Sequence, residues 1–587
     1  MNTPGLPSRF RENLHRLGLL SAVILLPFVF WTSFNDCFPL PKILALALFG
    51  GMALVAGPWK IPPAFAWVLP WAAWTAGMAL LGPGVVSWWR SLPDALVLVL
   101  PALLAVSSAG SGLKLVRQLS AGLVVAASVI GGYGLMQTFG LDLGAWISPF
   151  YKGVASTIGN PDLLGGMLVF PFALALAQWL EFRTVVRVVP VALIGIAVIA
   201  TEARAAWLAS AVVMAVLAGR KNWKAVAGVA AAGMLAAGAW LFAHPAALGA
   251  LAGRSALEER LWTWKVSALS IRDHPVAGWG TGSFRTVYLN EQADVLKGGG
   301  TFHYTEFAHF EPVHLWTETG ALGLGLLLWG LVSMFRAWKS SRFRPGSPGF
   351  WRGAGAGWAG LLANGALSFP LHVPPTATPA WVAAGSLTSG GVSSRVVSGR
   401  LRVAAGLVWI VGLAVLFRFA PASGYLRLGQ GLALDGRVLE AQAVYAKSAL
   451  LVPGDIRPWW YSAISARLGY TPSRSLEMAD RGLALEPSWA ELHLERGMAL
   501  KALGRIPEAE KAYRESVRFS PGFSHAWNNL GNLLGAQGRF AEAEQAQRRA
   551  LLLSPDSPEA RRNLAVTLAR MGRKREAQAV IGGLPVR

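Results

Sequence analysis

The densest group of histidine and glutamate residues in the chain is the segment AHFEPVHLWTETGALGLG, residues 308–325. The segment contains His309 and His314, and an imidazole with a pKa of about 6.5 accepts a proton at physiological pH, which makes His309 a candidate general base. Glu311 and Glu318 lie beside them and would orient an imidazole or shape a substrate pocket. Taken one at a time, each histidine is equally compatible with a solvated loop residue.

The same segment also raises the question of a metal site. His314 and Glu318 are four residues apart and would share one face of a helix, a spacing that metal ligands use. The chain has no HExxH or DxD pattern and a single cysteine, Cys37. We therefore predict an active site without a metal ion and without a cofactor.

Two arginines have the chemistry to bind an anionic leaving group. Arg204 follows Glu202 in IATEARAAWLAS, at the junction of two apolar segments, and Arg260 opens the polar stretch RLWTWKVSALSIRDHPVAGWGTGSF. A guanidinium fork binds an anionic group through two hydrogen bonds and needs no metal to do so. An interfacial salt bridge or a snorkelling arginine is the competing interpretation of Arg204.

The elements that must position these residues are apolar. Hydrophobic residues make up 53% of the 587 residues and charged residues 14%, which excludes a wholly soluble enzyme, a coiled coil and a disordered protein. A membrane-spanning helix needs about 20 mostly apolar residues. We predict twelve or thirteen spans, at Leu17–Phe34, Ile43–Gly57, Ala64–Leu81, Leu92–Val106, Leu119–Phe139, Leu163–Leu180, Val185–Thr201, Ala205–Gly219, Ala225–Phe242, Leu315–Phe335, Trp351–Phe369, Ala377–Leu387 and Val403–Phe419.

The distribution of charge orients these spans. With the N-terminus inside, the inner loops receive 19 of the 30 Lys and Arg residues of the first 420 residues. The net charge of +22 then largely reflects the basic residues that orient the spans in the membrane. Nucleic acid is therefore not a predicted partner. The same orientation places the polar stretch of about 243–314 outside, and the region after residue 420 outside as well.

The C-terminal region contains a repeat of 34 residues. Its periodic positions are Pro453, Pro487, Pro521 and Pro555, then Gly436, Gly504, Gly538 and Gly572, and Ala441, Ala509, Ala543 and Ala577. The period and the small residues are typical of tetratricopeptide repeats, which are helical hairpins that stack into a solenoid. One repeat is weaker, because Tyr470 and Ser475 occupy its Gly and Ala positions. A protein ligand is expected on such a surface, although a spacer without a ligand is the alternative.

The apolar region resembles the O-antigen ligase/polymerase superfamily of bacterial inner-membrane glycan transferases. The resemblance rests on five elements in the family's order, with Ala203 and Phe310 departing from the usual Ser and Asn. These elements are GNPDLLGGML (Gly159–Leu168), Arg204 to Trp207, Arg260 to Trp264, His274-Pro275 with Gly278 and Gly280, and His309 to Gly320.

The resemblance implies transfer of a glycan from an undecaprenyl-diphosphate donor to a hydroxyl of a glycan, lipid or protein acceptor. It assigns catalysis to His309, Arg204 and Arg260. It assigns substrate binding to Glu311, Glu318, Asn160 and His314. It also implies the bacterial inner membrane, with membrane lipid around the spans.

The sequence thus predicts an all-α protein in two parts. Residues 1–420 form a transmembrane bundle with a large outer loop at about 243–314, and residues 421–587 form a tetratricopeptide solenoid that meets its protein partners outside the cytoplasm. The alternative function is a catalytically idle membrane anchor that displays the repeats as a scaffold. A transporter ranks third, because the chain lacks obvious half-to-half repeats.

Overall fold

The computed structural model is almost entirely helical, which confirms the all-α prediction. It describes residues 8–29, 39–57, 60–81, 88–109, 113–141, 154, 156–158, 160–244, 255–295, 305, 307–340, 348–387, 395–396, 399–554 and 557–582. Within these residues the strands are two short segments, Lys60–Ile61 and Arg395–Val396, which pair antiparallel. The chain forms two compact units.

The first unit comprises Met1–Gly84, Arg90–Phe284 and Phe307–Ala420. Its helices, including those that extend into the second unit, are α1 Ser8–Ile24, α2 Pro39–Ala56, α3 Val68–Leu81, α4 Trp88–Ser108, α5 Leu113–Thr138, α6 Pro161–Phe182, α7 Val188–Ala200, α8 Arg204–Ala243, α9 Ser255–Asp273, α10 Phe284–Val295, α11 Glu311–Ser340, α12 Pro348–Gly365, α13 Pro374–Leu387 and α14 Gly399–Leu434. Helix α1 begins nine residues before the predicted span and ends ahead of Pro27, which lies in a short 3-10 turn.

Several of these helices are apolar and long enough to cross a membrane. Among the described residues, five meet that description, in α4, α5, α6, α8 and α11, and two shorter apolar helices lie at Leu40–Ala56 and Val185–Ala200. The prediction of a multi-pass membrane protein therefore agrees with the structure. The number of spans stays a prediction.

Helix α8 is a hairpin of two helices. A continuous helix of 40 residues would be about 60 Å long. Instead the backbone breaks at Gly219, where φ is +43°. The Trp240 indole N–H donates to Glu202 Oε1 over 3.2 Å, so the second half returns to the level at which the first begins. This geometry agrees with the two predicted spans Ala205–Gly219 and Ala225–Phe242.

The second unit comprises Val85–Trp89, Arg285–Glu306 and Pro421–Arg587. After α14 its helices are α15 Val438–Leu451, α16 Arg457–Leu468, α17 Pro472–Leu485, α18 Ala490–Ala502, α19 Ile506–Phe519, α20 Ser524–Ala536, α21 Phe540–Leu553, α22 Pro558–Arg570 and α23 Lys574–Ile581. The periodic alanines are buried. The periodic glycines have φ of +75° to +81° at the turns between helices, a conformation that glycine adopts without strain.

The same unit contains part of the predicted outer loop. The Arg285 guanidinium lies over the Trp489 ring, 4.4 Å from its centroid. The neighbouring Thr286 Oγ1 donates to Glu486 Oε1 over 3.0 Å, and this contact is buried. The first turns of α10 therefore pack on the tetratricopeptide helices.

Tyr470 lies at the turn position of the weak repeat and offers a test of stability. Its φ is +56° and its side chain is almost fully exposed. Replacing Tyr470 with glycine should relieve left-handed strain of about 1 kcal/mol at little cost in packing. We expect amide hydrogen exchange in α16 and α17 to slow about fivefold in the full chain. Tyr470→Ala keeps the strain and should give no such slowing; equal protection in both variants would contradict this account.

Candidate functional site

Arg204 is positioned by the junction between α7 and α8. Glu202 has a φ of +58°, Ala203 is extended, and Arg204 is the first residue of α8. The Trp207 indole N–H donates to the Val198 carbonyl over 3.0 Å, which ties the first turn of α8 to the end of α7. Trp207 therefore anchors the helix end that carries the Arg204 guanidinium.

Asn160 and Asp162 lie at the start of α6. The Asn160 side chain accepts hydrogen bonds from the backbone N–H groups of Asp162 and Leu163, over 2.8 and 3.2 Å. Asn160 is thus the N-cap of α6, a role that short polar side chains favour. The role of Asn160 in substrate binding stays a prediction. Asp162, two positions later, carries a carboxyl group near the same helix end.

Arg260 is positioned by Trp264, one helical turn later in α9. The Trp264 indole N–H donates to the Ala308 carbonyl over 3.0 Å, and its ring packs on Phe310 at a centroid distance of 5.4 Å. Phe310, which departs from the family's Asn, therefore helps to hold α9 against the segment that carries His309. Arg260 and Trp264 are four positions apart, so both side chains lie on one face of the helix.

These elements bring the three predicted catalytic residues within electrostatic range of their neighbours. Arg204 and Arg260 both interact electrostatically with the Asp162 carboxyl group. His309 is mostly buried and has a φ of +51°. Burial lowers its pKa to about 4, with smaller contributions from Arg260 and His314. The imidazole is therefore neutral at pH 7, with a lone pair available to accept a proton.

The glycine-rich turn after His274 packs backbone against backbone on a break in α11. The break is at Gly320, where φ is +68°. The Gly280 N–H donates to the Glu318 carbonyl over 2.9 Å. A Cβ on Gly278 would come within 2.5 Å of the Glu318 carbonyl oxygen, and one on Gly320 would strike the Val276 carbonyl. The glycines are required because two backbones touch there.

Behind His309 lies a buried cluster of two histidines and two glutamates: Glu311, His314, Glu318 and His372. Glu311 Oε1 is 2.7 Å from His372 Nδ1, and Glu318 Oε1 is 3.4 Å from His314 Nε2. Glu318 Oε1 also accepts the N–H groups of Gly282 and Phe284. The four side chains are between 2% and 7% exposed.

This burial bears on three of the predicted substrate-binding residues, Glu311, Glu318 and His314. Both oxygens of Glu311 and both ring nitrogens of His314 meet groups of the protein, and Glu318 binds the turn that follows His274 through Oε1, while its Oε2 is buried without a hydrogen bond. Direct contact with substrate stays a prediction for all three. In the structure Glu311 binds the turn Pro370–His372, and His314 accepts the N–H of Ala308, the residue before His309.

Among the described residues, the group that comes nearest to a metal site is His314, Glu318 and His372, whose candidate ligand atoms lie within 4.8 Å of one another. The Ala308 N–H donates to His314 Nδ1 over 3.3 Å. That bond assigns the proton of a neutral His314 to Nε2, the nitrogen that faces Glu318. A metal ligand needs a free lone pair, so this tautomer opposes coordination by His314.

Two residues of the site were missed by the sequence reasoning. Asp162 is an acidic residue at the end of an apolar span, a signal that the same reasoning used for Glu202 and Arg204. His372 is a single histidine in the apolar stretch SFPLHVPP, and nothing in its local sequence sets it apart. Only packing shows that it meets Glu311, 61 residues earlier.

An apolar cavity of about 510 Å³ lies beside this site in the first unit. Helices α6, α7 and both halves of α8 contribute to it. Its lining includes Phe172, Val191, Ile199, Trp207, Met214 and Met234. Trp207 is three residues after Arg204, so the cavity reaches the helix end that carries the arginine.

Comparison with known proteins gives matches in both parts of the chain. Residues 165–328 match the O-antigen ligase family, and residues 490–523 and 534–586 match tetratricopeptide repeats. No match to a curated protein was found. The first match contains Arg204, Arg260 and His309.

Among solved structures, the chain is similar to MamA 41-end from Desulfovibrio magneticus RS-1, with 18% identity over 28% of this chain and 92% of that chain, at a TM-score of 0.26. It is also similar to pilF of Pseudomonas aeruginosa, with 19% identity over 29% and 79% at a TM-score of 0.27. TTC0263, a protein of Thermus thermophilus, shows 24% identity over 27% and 87% at a TM-score of 0.25. At these scores the similarities carry no functional argument. The family matches and the helical fold together show that the chain joins an O-antigen ligase domain to C-terminal tetratricopeptide repeats.

Proposed function

We propose that the protein transfers a glycan from an undecaprenyl-diphosphate-linked donor to an acceptor hydroxyl at the outer face of the bacterial inner membrane. The observation that carries the proposal is the convergence of Arg204, Arg260 and a neutral His309, which come from three separate elements. This arrangement supplies positive charge for a leaving diphosphate and a proton acceptor for an incoming hydroxyl.

In the proposed reaction the acceptor oxygen attacks the anomeric carbon of the donor glycan. Its proton passes to the His309 imidazole as the new glycosidic bond forms. The bond between the anomeric carbon and the diphosphate oxygen breaks, and the electron pair leaves with the diphosphate. Arg204 and Arg260 stabilise the charge that develops on that group.

The apolar cavity beside Arg204 supports a lipid-linked donor. A polyprenyl tail is apolar and branched, and a cavity lined by aliphatic and aromatic side chains would hold it by van der Waals contact in place of lipid. With the tail between α6, α7 and α8, the diphosphate would lie at the level of Arg204. Gly195 and Gly233 both line the cavity. Replacing either glycine with a residue that has a bulky side chain would fill part of the cavity and should raise the KM for the lipid-linked donor.

The direct test is transfer by the purified full chain in proteoliposomes that contain a lipid-linked oligosaccharide and candidate acceptors. We expect formation of undecaprenyl diphosphate together with the glycosylated acceptor. The assay should offer lipid A core, a growing glycan and a protein as separate candidate acceptors, because the site chemistry requires only a hydroxyl. Absence of product with every donor and acceptor would favour the scaffold alternative, in which the repeats assemble protein partners.

The transferase should need no divalent metal. The arginines supply the charge that a metal would otherwise provide, and the tautomer of His314 opposes metal binding in the buried cluster. We expect transfer in an excess of EDTA, a chelator that strips protein metal sites, to equal transfer without chelator. Loss of activity on chelation, restored by one specific metal, would contradict the prediction.

We also propose that the tetratricopeptide repeats lie outside the cytoplasm, where they meet protein partners. Support comes from the contacts of Arg285 and Thr286 with Trp489 and Glu486, since a loop and the helices it packs on lie on the same side of a membrane. A phosphatase fused to the C-terminus should be active in the periplasm. Activity only of a reporter that functions in the cytosol would contradict this placement.

A further inference from the structure

The Glu311 carboxylate binds the loop between α12 and α13 with both of its oxygens. Oε1 pairs with His372 Nδ1 over 2.7 Å, and Oε2 accepts the Leu371 N–H over 3.1 Å. Both side chains of the pair are at least nine-tenths buried. The start of α11 is therefore fastened to the turn Pro370–His372 by charge-assisted hydrogen bonds.

The fastened loop forms one wall around the His309 imidazole. Phe369, which precedes the turn, meets the His309 ring edge to face at a centroid distance of 5.6 Å. Phe369 also stacks on Phe307, at 3.9 Å and an interplanar angle of 7°. The Glu311 carboxylate therefore joins the turn that follows Phe369 to the start of α11, two residues after His309.

The surroundings of His372 favour a charged partner for Glu311. Burial by itself lowers the pKa of the His372 imidazole, but Glu311, Glu318 and Asp94 together raise it above its ordinary value. The His314 ring meets the His372 ring edge to face, at a centroid distance of 4.4 Å. A protonated His372 makes the contact with Glu311 a buried ion pair, and removal of either partner would leave the other charge buried and uncompensated.

We propose that Glu311 and His372 are positioning residues that hold the His309 imidazole in its productive orientation. The inference rests on the proposed role of His309 as the proton acceptor. Geometry supports a positioning role: His309 has a left-handed backbone that no glycine relieves, and an imidazole displaced by about 1 Å loses much of its catalytic effect. Neither residue needs to touch the substrate.

The test compares His372→Leu with His372→Asn in the full chain. The Asn side chain places an N–H donor near the position of Nδ1, so it should keep the bond to Glu311, whereas Leu removes it. We expect the kcat of transfer to fall about tenfold to a hundredfold in His372→Leu, with the KM for the donor unchanged. The kcat of His372→Asn should stay within about threefold of the parent value, because the bond that holds the loop is kept.

A second readout does not depend on transfer. Carbethoxylation of His309 by diethyl pyrocarbonate, followed by mass spectrometry, reports its exposure and nucleophilicity. We expect its rate to rise in His372→Leu and to stay near that of the parent in His372→Asn. Because this readout needs no turnover, it still tests the positioning role if the chain transfers no glycan at all.

Two further variants separate positioning from folding. Glu311→Leu combined with His372→Leu removes both members of the pair, which avoids a buried unpaired carboxylate; we expect it to be folded and slow. His15, which is buried in α1 and bonds the Ala53 carbonyl, provides the matched control His15→Leu with normal transfer. Equal kcat and equal His309 modification in His372→Leu and the parent would overturn the proposal, as would equal losses in the Leu and Asn variants.

Discussion

Replacing Arg204 or Arg260 with alanine is expected to lower the rate of glycan transfer about a hundredfold or more. Each guanidinium would face a diphosphate that is partly removed from water, and charge-assisted hydrogen bonds in such a place contribute about 1.5–3 kcal/mol. A hundredfold corresponds to about 2.7 kcal/mol. The rate should be measured with purified variants at equal protein concentration and with a saturating donor.

Matched controls are available within α9. Arg272 lies in the same helix as Arg260, and its side chain is 70% exposed beside Asp273. Arg272→Ala should therefore retain normal transfer. Arg260→Lys should give an intermediate rate, because lysine keeps the charge but lacks the fork that binds two oxygens. Normal rates in both Arg204→Ala and Arg260→Ala would exclude the proposed stabilisation of the leaving group.

His309→Ala should reduce transfer by about 10²- to 10⁴-fold, the usual contribution of a positioned general base. Expression and membrane insertion should be unchanged, because His309 precedes α11 and is not one of its residues. The exposed His244 at the end of α8 gives the control His244→Ala, for which we expect full activity. Full activity of His309→Ala would refute the mechanism.

The pH profile gives an independent check on His309. A general base acts in its deprotonated form, and the pKa of His309 is lowered to about 4. As the pH falls, kcat/KM should therefore stay level through about pH 6.5 and decline only as the pH approaches about 4. A decline of kcat/KM centred near the ordinary pKa of histidine would identify a different, more exposed base.

Much of the architecture follows from local patterns. Apolar runs of helical length predict the spans. Even the hairpin in α8 is anticipated by the polar residues Arg220, Lys221 and Asn222, which lie between two such runs. The 34-residue period predicts the turns of the solenoid, and it marks Tyr470 as the residue in a glycine position. These features depend on residues close together in the chain, which is why a single sequence shows them.

The sequence by itself also identified the candidate groups for the proposed reaction, which are Arg204, Arg260 and His309. Only the tertiary structure decided that these residues converge, that Asp162 lies near both arginines, and that His372 binds Glu311. It likewise decided that Glu318 supports a glycine turn. The physical reason is that such contacts join residues tens of positions apart in the chain. They depend on how whole helices pack, which no local periodicity records.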